Sequence, residues 1–212
     1  MNNKKTLLIL VLAFVLLIGG ATVLYNRLGA ENAPDQLAVQ QPVATTPATP
    51  EEPTPSEAPA DPEATAGTEA TEPEPIKAPD FTVYDIDGNE VHLSDYLGKP
   101  VVVNFWASWC GPCQMEMPDF NEKYLELGEE IHFLMVNMTD GSRETVKIAS
   151  EFIAQKGYEF PVLYDTASNA AMIYGVYSLP TTYFINAEGH AIAQATGAID
   201  AATLQRGIDM IS

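Results

Sequence analysis

The chain has 212 residues, with 10 Lys and Arg against 29 Asp and Glu, a formal net charge of −19, three His and two Cys. That balance excludes nucleic-acid binding as the main role, because a phosphate backbone needs clustered Lys and Arg. Two cysteines exclude a disulfide-dense scaffold and any four-cysteine zinc or iron–sulfur site.

The predicted elements fall into three zones. Residues 1–28 open with Lys4 and Lys5 and then run from Thr6 to Leu24 without a Lys, Arg, Asp or Glu. About 20 apolar residues at 1.5 Å rise cross the roughly 30 Å hydrocarbon core. A cleaved secretory signal has a shorter apolar region, about 7–15 residues, so the segment is read as one retained transmembrane helix. No Cys follows it, which excludes a lipoprotein anchor. By the positive-inside rule Lys4 and Lys5 stay cytoplasmic and the rest lies outside, giving a single-pass cell-membrane protein with an extracytoplasmic domain.

Residues 29–77 are dominated by Pro, Glu, Ala and Thr, with almost no large apolar side chain between Val43 and Ile76. Such a stretch buries too little to offset its ordering entropy and is expected to be a disordered, semi-stiff acidic linker. It would let a tethered domain swing to a partner or act as a plain stalk.

Residues 78–212, about 135 in all, are enough for one self-sufficient core. Phe81–Tyr84 and Val91–Leu93 flank Asp87-Gly88 as an N-terminal hairpin. Val101–Trp106 is a continuous apolar run, the pattern of a strand buried on both faces. A helix follows Cys110 to about Leu127, interrupted by a kink at Pro118 and closed by Gly128. Ile131–Met138 is the next central strand. Ser142 is the expected N-cap of a helix with Val146, Ala149 and Ile153 on one face, ended by Gly157. Pro161–Tyr164 reads as a short strand and Ala167–Tyr174 as a short helix. Thr181–Ile185 and Ala191–Thr196 form a second hairpin across Glu188-Gly189, and Asp200 caps a last helix burying Leu204, Ile208 and Ile211. The order implies an α/β fold, a mixed central sheet with helices on both faces.

The chemistry sits at Trp109-Cys110-Gly111-Pro112-Cys113, directly after a buried strand and at the start of a helix. Unpaired N–H groups and the macrodipole at a helix N-terminus stabilise a thiolate there, so Cys110 can attack a disulfide. Cys113, one turn on, can resolve the mixed disulfide by closing the ring. Gly111 and Pro112 permit the tight turn. The competing readings are a structural disulfide and a metal site. A bridge between residues three apart constrains the unfolded chain little. Zinc wants four ligands, and His92, His132 and His190 have no paired spacing near the cysteines, so no metal or cofactor is expected. Trp109 is expected beside the thiol on an apolar docking rim and Trp106 in the core. Met115, Met117, Met135 and Met138 are read as core filler rather than soft copper ligands.

Asn104-Phe105-Trp106-Ala107-Ser108-Trp109-Cys110-Gly111-Pro112-Cys113 resembles the active-site strand and turn of thioredoxin-fold proteins. With Leu97-Gly98-Lys99-Pro100, the extra helix and strand between Ser142 and Tyr164, and Leu179-Pro180-Thr181-Thr182-Tyr183-Phe184, it resembles the membrane-anchored TlpA/ResA-like thiol-disulfide oxidoreductases more narrowly. The resemblance implies a cis bond before Pro180, facing the cysteines, with Leu179 backbone open to an extended substrate peptide. Cytoplasmic thioredoxin has a buried Asp beneath its active site; Asn104 here cannot take a proton. Glu116, three residues beyond Cys113, matches the active-site Glu of the ResA-like group and is the expected proton acceptor, its pKa raised by burial. The substrate-contacting set is then Trp109, Pro112, Leu179 and Pro180. The implied activity is reduction of protein disulfides, apocytochrome c before haem attachment among them. Re-reduction would come from a separate membrane thiol-disulfide electron donor. The same dithiol run backwards is a thiol oxidase, and a copper metallochaperone is the alternative from another class.

Overall fold

The computed structural model describes residues 37–39 and 76–212. The expected membrane anchor over 1–28 and most of the expected linker over 29–77 lie outside the described residues. Among the described residues no helix is long and apolar enough to cross a membrane.

Eight strands form one mixed sheet in the order β1-β8-β7-β4-β5-β6-β2-β3. They are β1 (Leu37–Val39), β2 (Thr82–Tyr84), β3 (Glu90–His92), β4 (Val101–Trp106), β5 (His132–Asn137), β6 (Val162–Tyr164), β7 (Thr181–Ile185) and β8 (Ala191–Thr196). The helices are a 3-10 turn at Leu93–Tyr96, α1 (Gly111–Leu127), α2 (Val146–Lys156), α3 (Asn169–Ile173) and α4 (Ala201–Asp209). Pairing of β4 with β5 and of β5 with β6 is parallel, which requires the crossovers α1 and α2. The hairpin β7–β8 and the N-terminal hairpin β2–β3 are antiparallel.

The period of two along β4 builds two cores. Val102 and Trp106 pack with Phe120 of α1, Ala149 of α2 and Leu204 and Ile208 of α4. Val101, Val103 and Phe105 pack on the other face with Leu93, Ala170 and Tyr174. A strand covered on both sides has no solvent face, which is why its sequence does not alternate. Asn104 shares the face of Val102 and Trp106 and is the polar exception in that strand.

Several expectations shift in detail. Thr145, not Ser142, caps α2, its Oγ1 accepting the Ile148 N–H at 3.2 Å. Ser142 is held instead by Asp140, whose Oδ1 accepts its N–H. Helix α1 runs without interruption from Gly111 to Leu127 with Pro118 inside it. Helix α3 starts at Asn169, two residues later than the composition suggested. Met117 and Met135 are core, but Met115 is exposed and fills nothing.

The largest departure lies in the segment expected to be a linker. Leu37, Ala38 and Val39 pair antiparallel with Ala195, Gln194 and Ala193 of β8. Ile76 O accepts the Ala191 N–H at 2.9 Å, and Lys77 bridges to His190. These two short stretches flank the Pro- and Glu-rich run rather than belong to it, and their small and apolar residues can complete a sheet edge.

Candidate active site

Strand β4 delivers the chain to the site. After Trp106 the backbone closes a β-turn in which Cys110 N–H donates to Ala107 O at 3.1 Å. Cys110 then serves as the N-cap of α1, its Sγ accepting the Cys113 N–H at 3.2 Å, with Pro112 in the first turn where a missing N–H costs nothing. Cys110 and Cys113 are joined in a disulfide, with Cα atoms 5.3 Å apart.

The two sulfurs are not equivalent. Cys110 retains 5 % exposure and lines a surface groove of about 480 Å³, whereas Cys113 is wholly buried at 0 %. Trp109, Pro112, Tyr177 and Leu179 share that groove with Cys110. Trp109 is 43 % exposed and Tyr177 98 %, so the walls are apolar surfaces left open to water. The Leu179-Pro180 bond is cis. Pro180 itself is buried; Leu179 is the residue of that pair that faces the groove.

Glu116 lies one turn beyond Cys113 on α1 and is buried. Its Oε2 accepts the Ile199 N–H at 2.9 Å and its Oε1 accepts from Asn104 Nδ2 at 2.8 Å. The same Asn104 amide nitrogen donates to Thr182 Oγ1 at 3.0 Å, which ties the carboxyl to β7 just after Pro180. Burial pushes the Glu116 carboxyl up to about 7; the bonds from Ile199 and Asn104 oppose the rise and the charge of Asp119 adds to it. A carboxyl poised near neutrality can both take and return a proton. Among the described residues no group of three or more His, Cys, Asp or Glu could hold a metal ion.

A family model for the AhpC/TSA family matches residues 76–193. The chain belongs to the AhpC/TSA family. It is 40 % identical over 124 residues to the thiol-disulfide oxidoreductase ResA of Bacillus thuringiensis (strain Al Hakam), covering 57 % of this chain and 68 % of that one. Against ResA of Geobacillus kaustophilus the identity is 36 % over 135 residues, 63 % of this chain and 75 % of the relative. Among solved structures, the pneumococcal exposed lipoprotein thioredoxin Etrx1 of Streptococcus pneumoniae superposes with a TM-score of 0.53 at 34 % identity, covering 62 % of this chain and 98 % of that one. Fold, family and the paired cysteines make this AhpC/TSA member a thiol-disulfide oxidoreductase of the thioredoxin superfamily.

Of the site residues expected from the sequence, Trp109, Cys110, Pro112 and Leu179 line the groove, whereas Cys113, Glu116 and Pro180 are buried and do not. Three others escaped the sequence reading. Tyr177 forms a groove wall, Arg143 places its guanidinium 3.8 Å from the Trp109 ring centroid, and Glu144 is a fully buried carboxylate beside the active-site turn. Nothing in the local sequence marks them, since each acts on residues distant along the chain.

Proposed function

We propose that this chain reduces disulfides in exported proteins from the outer face of the cell membrane, held there by its N-terminal apolar segment. The reading rests on the asymmetry of the two sulfurs. Once the pair is reduced, Cys110 at the groove is the sulfur an incoming disulfide can meet, and its thiolate is stabilised by the start of α1. It attacks one target sulfur, the target S–S bond breaks, and a mixed disulfide forms while the departing target thiolate takes a proton. Cys113 passes its proton to the Glu116 carboxylate and attacks Cys110 Sγ, releasing the second target thiolate, which is protonated in turn. The target gains two electrons, and the Cys110–Cys113 disulfide is the oxidised product.

No third cysteine exists in the sequence, so a separate dithiol donor at the membrane must restore the thiols. The Gly111-Pro112 pair between the cysteines, found in reducing thioredoxins, supports the reductive direction. Apocytochrome c before haem attachment is the target that the resemblance of the active-site sequence to ResA-like proteins implies. Residues Lys4 and Lys5 ahead of the apolar run support anchoring with the domain outside.

Trapping tests the role assignment. Cys113→Ser is expected to leave stalled mixed disulfides on Cys110 that resolve on non-reducing gels and disappear with dithiothreitol. Trapping by Cys110→Ser instead, or by neither variant, overturns it.

A further inference from the structure

The turn that carries the chain from β4 to Cys110 is gripped from outside by two consecutive residues of the loop between β5 and α2. Its central residues are Ser108 and Trp109, since Cys110 N–H closes the turn on Ala107 O. Glu144 holds the first. Its Oε1 accepts the Ser108 N–H at 2.8 Å and Asn137 Nδ2 at 2.7 Å, and its Oε2 accepts the Ser108 hydroxyl at 2.6 Å. Arg143 holds the second, its guanidinium stacked 3.8 Å from the Trp109 ring centroid. Gln114 of α1 completes the grip, donating to Ser108 O at 2.6 Å.

The energetics single Glu144 out. It is 0 % exposed, and its side-chain hydrogen bonds come from uncharged groups, the Ser108 N–H and hydroxyl and the Asn137 amide. A carboxyl group buried away from water needs hydrogen-bond partners to replace its lost hydration. Here all three donors belong to the turn or to the end of β5, so the bonds that satisfy the buried group are the same bonds that fix the turn. The loop is itself preset: Asp140 Oδ1 accepts the Ser142 and Glu144 N–H groups at 2.7 and 2.9 Å, and Gly141 N–H donates to Glu144 O at 3.0 Å.

We propose that Glu144 and Arg143 are positioning residues for thiol–disulfide exchange. Glu144 fixes the backbone that presents Cys110 to the groove, and Arg143 fixes Trp109 as the wall against which a protein disulfide docks. The proposal rests on exchange at Cys110. The two arms separate by substrate: a small disulfide needs the presented sulfur alone, whereas a protein disulfide also needs the wall.

Steady-state reduction of insulin and of oxidised glutathione by the full-length chain, with dithiothreitol as donor, reads both arms. Arg143→Ala is expected to raise KM for insulin about three- to tenfold with kcat unchanged and to leave glutathione turnover as it was, the size of a cation–π contact at a partly exposed site. Glu144→Ala is expected to lower kcat/KM at least tenfold on both substrates and to shift the equilibrium of the disulfide with the glutathione couple. Glu144→Gln, whose amide oxygen still accepts the Ser108 N–H, stays within about threefold of wild type. Wild-type constants for a folded Glu144→Ala, or an unmoved insulin KM for Arg143→Ala, overturn the corresponding arm. Should Glu144→Ala not fold, Ser108→Ala decides that arm: a fall of threefold or more on both substrates upholds it, and unchanged constants overturn it. A wild type inactive on both disulfides sinks the exchange reading itself.

Discussion

Glu116 combines a stability cost with the proton-accepting role proposed for it at one carboxyl. Its folded pKa of about 7 stands above the ordinary 4.5, so between those values the folded chain holds a proton that the unfolded chain has lost. The folded state binds more protons in that window, and stability therefore falls as pH rises from about 4.5 to about 7, by about 3 kcal/mol in total. Urea unfolding of the oxidised chain across this range should show that fall, and Glu116→Gln should flatten it. The same titration governs the exchange step. Resolution of the mixed disulfide should accelerate as Glu116 loses its proton and level off above about pH 7. In Glu116→Gln that pH step should vanish and the rate should drop about a hundredfold, as stopped-flow release of a reduced model peptide would record. Cys110 and Cys113 are legible in the sequence because their signal is local, a spacing of three residues where a strand gives way to a helix, and Glu116 is picked out by its place one turn further on together with the resemblance to the ResA-like group. Glu144 is not. In a chain with 29 acidic residues, a Glu in a polar loop carries no mark of its own. Its importance arises from the pairing of Trp106 with Asn137, which brings the ends of β4 and β5 together and so sets the β5–α2 loop beside the active-site turn.

At the level of elements, α4 depends on a close approach to the sheet. Gly207 faces the ring of buried Phe184 on β7, and a Cβ at that position would overlap the ring. The aromatic ring sits in a packed core and cannot swing clear without displacing its neighbours. Gly207→Ala should therefore destabilise the chain by about 1–3 kcal/mol despite the better helix propensity of Ala, measurable as a lower urea midpoint at unchanged slope. Most elements follow from the sequence because burial on one or two faces leaves a period in the residues: α4 shows its stripe at Leu204 and Ile208, continued by Ile211 just past its end, and β4 shows none because both its faces are covered. Boundaries are harder to read. Ser142 and Thr145 are both cap formers by residue type, and only the local backbone, in which the Thr145 hydroxyl accepts the Ile148 N–H, distinguishes them. Pro118 is tolerated inside α1 although the residue type alone argues for a break.

Over the whole molecule, the exposed edge strand β8 is covered by residues that the composition alone would assign to an unstructured tract. Hydrogen exchange of the full-length chain should find the amides of Ala191–Thr196 slow. Deleting residues 1–40 should speed exchange there while leaving β7 protected by its other neighbour β4. The cover has a geometric corollary. Val39 sits opposite Ala193, and Ile76 is bonded to Ala191, so the 36 residues between them leave and rejoin the sheet two positions apart on a single strand. However long that excursion grows, it adds nothing to the leash joining the domain to whatever grips the chain ahead of Leu37. Under the proposed anchoring, the sequence from Arg27 to Leu37 allows ten residues, a contour of at most about 35 Å.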